Sequence, residues 1–191
     1  MQLFDTTIAP ARSGATLAET LNLIGLAGIS LSLAIAFYYQ LALGELPCPL
    51  CLLQRAGMIA IGLGFMLNLR FGVRGLHYGL ALFGCIVTGA VASRQVLLHI
   101  VPDTGHYGSS LFGMHFYTLA LLSSIAAAAY IAALLMLPAR HASADDEPGG
   151  LAKAMMTIFA LLVAANLVST VLECGAGQCD DDPTYYQLLG R

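Results

Sequence analysis

The sequence predicts an all-α integral membrane protein, a four-helix transmembrane bundle plus a fifth transmembrane helix. Three observations predict it. The 191 residues are 58% hydrophobic and only 10% charged, where a soluble domain carries about a quarter charged residues. The mean hydropathy is +0.79, so polar surface is too scarce to cover a globule and lipid must be the solvent. Five apolar runs also come near the ~20 residues that a bilayer core requires. The formal charge of −3, with no basic patch or aromatic ladder, gives no footing for nucleic acid. One membrane domain, 1–191, is expected.

In chain order, residues 1–20 are a polar lead-in without clear structure. The first span, Leu21–Leu43, is too long and too late for a cleaved signal peptide, and no small-residue cleavage pattern follows it. It is expected to stay in the protein. The second, Leu52–Leu69, is the shortest and the third, Leu76–Val101, the longest, so tilt or a buried end is expected. The fourth, Phe116–Leu137, contains "SSIAAAAYIAA", small residues that let helices pack closely. "LPARHASADDEPGG" is a flexible linker of Pro, Gly and mixed charge. Leu151–Leu172 forms the fifth span, and 173–191 an outward tail. Backbone groups in lipid must be satisfied within their own segment, so each run is expected to be a helix.

Orientation follows from the basic residues. If the spans alternate, Arg12, Arg70, Arg74, Arg140 and Lys153 share one side, which the positive-inside rule makes cytoplasmic. Asp145, Asp146 and Glu147 lie among them, but acids weigh little in that rule. "GELPCP", "PDTGHYGSS" and the tail, whose only basic residue is Arg191, fall on the opposite side. The N-terminus is expected inside and the C-terminus outside.

Five cysteines punctuate this plan: Cys48, Cys51, Cys85, Cys174 and Cys179. Cys48 and Cys51 form C-x-x-C after the first span, and Cys174 and Cys179 form C-x-x-x-x-C after the fifth. Four helices separate the pairs, an even number, so both emerge on the non-cytoplasmic side, where disulfides persist. Gly175 and Gly177 let the six-residue ring of the second pair close and also permit movement. The bland reading of that pair is a static staple for the tail. Cys85, alone in the third span, reads as a packing residue.

"LPCPLCLLQR" leads straight into the second span. A thiolate at a helix start is favoured by unpaired backbone N–H groups and the positive end of the dipole. Arg55 lies four residues beyond Cys51, one turn deeper on the same face. An arginine inside the membrane is costly and usually paired, yet the spans as drawn contain no acid. An anion formed during turnover, such as the Cys51 thiolate or a reduced quinone, fits that vacancy. Arg94 in "SRQVLLHIVP" is expected at a similar depth, so the two cations mark a site for something negative. Either arginine alone is also compatible with snorkelling to lipid phosphates. His99, five residues past Arg94, is turned about 140° away from it and reads first as an interfacial histidine.

Three functions are compatible with these residues. Electrons pass between the cysteine pairs by thiol–disulfide exchange and leave through a membrane-soluble acceptor. Alternatively, the four outward cysteines bind or carry a soft metal ion, for which C-x-x-C is also a ligand spacing. Or the cysteines are structural and the chain is a scaffold. Arg55 beside the supposed ligands would repel a cation, and no acidic path crosses the spans, which ranks the metal reading second.

"CPLCLLQR", with the four-span block, resembles the DsbB family of bacterial disulfide-bond formation proteins. The family's first outer loop carries C-x-x-C followed four residues later by an arginine, as Cys51 and Arg55 do here. "SRQVLLHIVP" is similar to its arginine-bearing third helix, and "GSSLFGMHFYTLALL" to the start of its fourth. The resemblance covers about residues 20–137. The departure is the second cysteine pair, which well-known members carry between the third and fourth spans. Here "HIVPDTGHYGSSLFGMH" holds no cysteine, and the pair follows the fifth span instead.

The resemblance implies an inner-membrane oxidase that regenerates a periplasmic DsbA-type dithiol oxidant and passes electrons to ubiquinone or menaquinone. The partner's thiolate would open the Cys174–Cys179 disulfide. The freed tail thiol would attack the Cys48–Cys51 disulfide, most simply at Cys48, and Cys51 would leave and reduce a quinone held by Arg55, Arg94 and His99. A low-pKa leaving thiol favours each exchange, and a DsbA–DsbB–quinone relay of this kind keeps the bacterial periplasm oxidising. The quinone and the DsbA-type partner come with the resemblance. The acidic run Asp180–Asp182 reads as a solvated tail.

Overall fold

A computed structural model describes residues 17–101, 105–137, 147–175 and 177–190 of the chain. Five helices account for about three quarters of it: α1 (Leu17–Ala42), α2 (Pro49–Phe71), α3 (Gly75–Leu98), α4 (Phe116–Leu135) and α5 (Gly150–Cys174). Each is long and apolar enough to cross a membrane, as the hydropathy pattern predicts. Arg12, Arg140, Asp145, Asp146 and Arg191, on which the expected orientation partly rests, and most of the expected linker lie outside the described residues.

The helix ends depart from the hydropathy limits for local reasons. α2 starts at Pro49, ahead of the apolar run, because Cys48 caps it and proline is at ease at the first helical position. α3 stops at Leu98 rather than Val101. α5 continues through Glu173 to Cys174, so two residues assigned to the tail by hydropathy belong to a helical turn. A short ribbon not foreseen from sequence, β1 (Ser110–Leu111) paired antiparallel with β2 (Met114–His115), precedes α4. Its turn places Phe112 and Gly113 at φ 55° and 76°, the left-handed geometry that two-residue hairpins favour.

Close packing of α2 on α3 comes from glycines, while in the alanine run Ala127 and Ala128 pack against the core and Ala126 and Ala129 are exposed. A methyl group on Gly57 would run into Thr88, and one on Gly84 into the Gly57 carbonyl and Ile61. α2 and α3 therefore touch backbone to backbone. Among lipid tails apolar contact gains little from burial, so such close van der Waals fits hold helices together. α5 is mostly exposed, but its fully buried Phe159 fills the space over Gly62, beside Ile29 of α1. Cys85 is buried in the same core and unpaired.

The end of the bundle where α1 begins, α2 ends and α3 begins holds a buried polar network. Asn22 Nδ2 donates to Tyr78 Oη at 2.9 Å, and Asn68 Nδ2 to Asn22 Oδ1 at 2.9 Å. Asn68 Oδ1 lies 2.9 Å from His77 Nδ1 and accepts the Arg74 N–H at 3.1 Å. The opposite end gathers the starts of α2 and α4, the ends of α1, α3 and α5, and the tail. Both cysteine pairs are there.

Candidate active site

The first pair is built by a helix start. Cys48 has extended backbone geometry, and its sulfur accepts the Cys51 N–H at 3.2 Å, the role an N-cap side chain plays. Cys48 and Cys51 are joined as a disulfide. Cys48 is buried, whereas Cys51 is half-buried and faces a cavity of about 270 Å³. Two glutamines absent from the sequence-derived candidates serve this disulfide. Gln54 Nε2 donates to Gln95 Oε1 at 2.7 Å, which turns the Gln95 amide nitrogen to the sulfurs, 3.5 Å from Cys48 Sγ and 3.8 Å from Cys51 Sγ. Both glutamines are buried.

Arg55 lines the same cavity. Its Nη1 donates to Gln40 Oε1 at 2.6 Å and its Nη2 to the Ala36 carbonyl at 3.2 Å. The Phe37 ring lies 5.5 Å from the guanidinium carbon. These bonds use two of the five N–H groups. The expectation that no acid from a span serves Arg55 needs correction, because Glu173 in the last turn of α5 interacts with it electrostatically. The direct partners of Arg55 are nevertheless neutral.

Arg94 does not join Arg55. It is exposed and outside the cavity, and its neighbour Gln95 faces inward instead; one residue rotates a helix face by about 100°. His99 is also set back. Its ring stacks on Tyr117 at 5.3 Å, and Tyr117 borders the cavity.

The cavity is close to the lower size, about 300 Å³, of small-molecule pockets. Ile35, Met58 and Leu119 give it apolar walls, and Tyr107 of the α3–α4 loop lines its edge. That cysteine-free loop is fastened to the α1–α2 loop. Tyr107 Oη donates to the Leu46 carbonyl at 2.7 Å, and Glu45 accepts the Ser109 N–H at 3.0 Å and its hydroxyl. Burial, with Asp182, Glu173 and Glu45 nearby, pushes the Tyr107 phenol up to about 12, so it stays a neutral donor at working pH.

The second pair, also joined as a disulfide, closes the end of α5. Cys174 is 4% exposed, and Cys179 is half-buried. The tail folds back so that Gln187 N–H donates to the Glu173 carbonyl at 3.2 Å and Leu188 N–H to that of Leu172 at 3.0 Å. Gln40 Nε2 donates to Tyr186 Oη at 3.0 Å and to Ser169 Oγ at 2.6 Å. One glutamine thus ties the tail and α5 to Arg55.

A family model described as disulfide bond formation protein DsbB matches residues 18–187. The chain belongs to the DsbB family. It is 45% identical over 74 residues to a disulfide bond formation protein B of Marinobacter nauticus, covering 37% of this chain and 44% of the relative. It is 37% identical over 98 residues to one of Xanthomonas campestris pv. campestris, covering 49% and 55%. A Stutzerimonas stutzeri relative is 33% identical over 88 residues, covering 44% and 54%. The chain thus spans about half the length of these curated relatives. No solved structure matches it. Five apolar helices and this membership make it a multi-pass membrane protein.

Proposed function

We propose that this DsbB-family chain reoxidises a periplasmic DsbA-type dithiol protein and passes the electrons to a membrane quinone, ubiquinone or menaquinone. It does so in the bacterial inner membrane, with the N-terminus cytoplasmic and both cysteine pairs periplasmic. The observation that carries the reading is one cavity shared by a disulfide sulfur, Cys51, and a guanidinium with unspent donors, Arg55. The second disulfide at the same bundle end supports a two-pair relay.

The chain's residues divide the work by position. Cys179, the more exposed of the two, is the sulfur that the partner's thiolate attacks, and Cys174 is the one that leaves. Cys174 then attacks Cys48. Cys51 departs as a thiolate stabilised by the α2 N-terminus, by the Gln95 amide and by Arg55. The partner's second thiol displaces Cys179, which attacks Cys174 and frees Cys48. The Cys48–Cys51 disulfide re-forms as its two electrons pass to a quinone held by Arg55 and the cavity walls. A ring oxygen of the quinone fits the remaining Arg55 donors and its ring the apolar walls.

The test uses purified protein in detergent with a reduced DsbA-type dithiol and a short-tail ubiquinone analogue, followed by quinone absorbance. Wild type is expected to turn over, and Cys51→Ser and the Cys174→Ser/Cys179→Ser pair to lose turnover. A wild-type chain inactive with every quinone, yet binding a soft metal through its cysteines, refutes the oxidase.

A further inference from the structure

Glu173 is the unexplained group at this end of the molecule. It is 2% exposed, and neither carboxylate oxygen has a hydrogen-bond partner among the described residues. A buried acid without a donor among the described residues is disfavoured when ionised, so its presence calls for a reason. It precedes Cys174 in the last turn of α5, and both are covered by the returning tail, whose Gln187 and Leu188 also pack at Gly175. Arg55 of α2 and Tyr107 of the α3–α4 loop lie within its electrostatic reach, and Tyr186 of the tail interacts with Arg55 in turn.

Burial gives the acid a task. A sulfur that leaves a disulfide in water is solvated and protonated by water. Cys174, 4% exposed, has no such supply, and its thiolate would be stranded.

We propose that Glu173 is the proton-transfer group of the tail disulfide, an inference that rests on the relay described above. When a thiolate attacks Cys179, a new S–S bond forms to that sulfur and the Cys174–Cys179 bond breaks. The Glu173 carboxylic acid gives its proton to the departing Cys174 sulfur. When Cys174 attacks Cys48, the Cys174–Cys48 bond forms and the Cys48–Cys51 bond breaks. The proton returns to the Glu173 carboxylate, and Cys51 leaves with the electron pair. Glu173 ends each cycle as it began, and Arg55 offsets its charge while it is ionised.

The experiment uses the full chain in detergent with a short-tail ubiquinone analogue as acceptor. The Glu173 variants are driven by a reduced DsbA-type dithiol, which enters at the tail disulfide, and the variants lacking the tail cysteines by dithiothreitol. Glu173→Gln is expected to slow quinone reduction by about a hundred-fold, the range of general acid–base catalysis, and Glu173→Asp to restore most of the rate. The loss is expected to vanish in the Cys174→Ser/Cys179→Ser background, where dithiothreitol must reduce the Cys48–Cys51 disulfide directly. Wild-type turnover in Glu173→Gln overturns the proposal, and so does a loss of the same size in the background lacking the tail cysteines. A wild-type chain that reduces no quinone overturns instead the relay on which the proposal rests.

Discussion

The two ends of the bundle use buried polar side chains in opposite ways. Asn22, Asn68, His77 and Tyr78 form a network in which the amides, the ring and the phenol satisfy one another. At the disulfide-bearing end, Glu173 and His115 Nδ1 are the buried side-chain groups left unsatisfied among the described residues. A cavity also opens there beside Cys51 and Arg55. A satisfied network fixes helix register. Unspent donors and a bare acid stand together at the end to which the proposed relay is assigned.

Three substitutions test that contrast. The largest effect is expected at Arg55. Arg55→Met removes hydrogen bonds to a charged group worth about 1.5–3 kcal/mol, roughly ten- to hundred-fold in kcat/KM for the quinone. Steady-state kinetics with varied quinone would show it, and unchanged kcat/KM would remove Arg55 from the binding site. Next comes Gln95→Leu, which takes the amide donor from both sulfurs. A lost neutral hydrogen bond of about 1 kcal/mol predicts a roughly five-fold slower turnover. Alkylation of reduced Cys51 by iodoacetamide should slow alongside it; unaltered alkylation would reduce Gln95 to a packing residue. The smallest effect on chemistry is expected at the other end. Asn68→Leu strands Asn22 and His77, costing about 1–3 kcal/mol of stability, visible as a lower thermal midpoint in detergent. Turnover per folded molecule should stay within about two-fold. If it collapses, the two ends are coupled and the contrast fails.

Much of this architecture is legible from hydropathy, because lipid forces long apolar helices. The even number of spans between the cysteine pairs brought both to one end, whereas α2 starts at Pro49, three residues ahead of the apolar run read from hydropathy. The site's polar detail was less legible. A glutamine within an apolar run has no spacing signature, and which face turns inward is settled only when helices pack. Arg94 draws notice as a charge, yet it is Gln95, one residue on, that faces the disulfide. Glu173 was lost to the tail because hydropathy fades before the helix ends. Gln40, at the far end of α1, gains meaning only from Tyr186, 146 residues later.

That last contact bears on how such a protein could be rebuilt. The fifth helix and tail look like a cartridge that could be exchanged between relatives, since α5 is mostly exposed and meets the core along one face, with Ala152 buried and Phe159 over Gly62. The cartridge has a keyed socket as well: Gln40 bonds the tail's Tyr186 with one end of its amide and Arg55 with the other. A chimera would need Gln40 and Gly62 in the host along with Phe159 and Tyr186 in the graft. Without them the imported cysteines would arrive on an unseated tail.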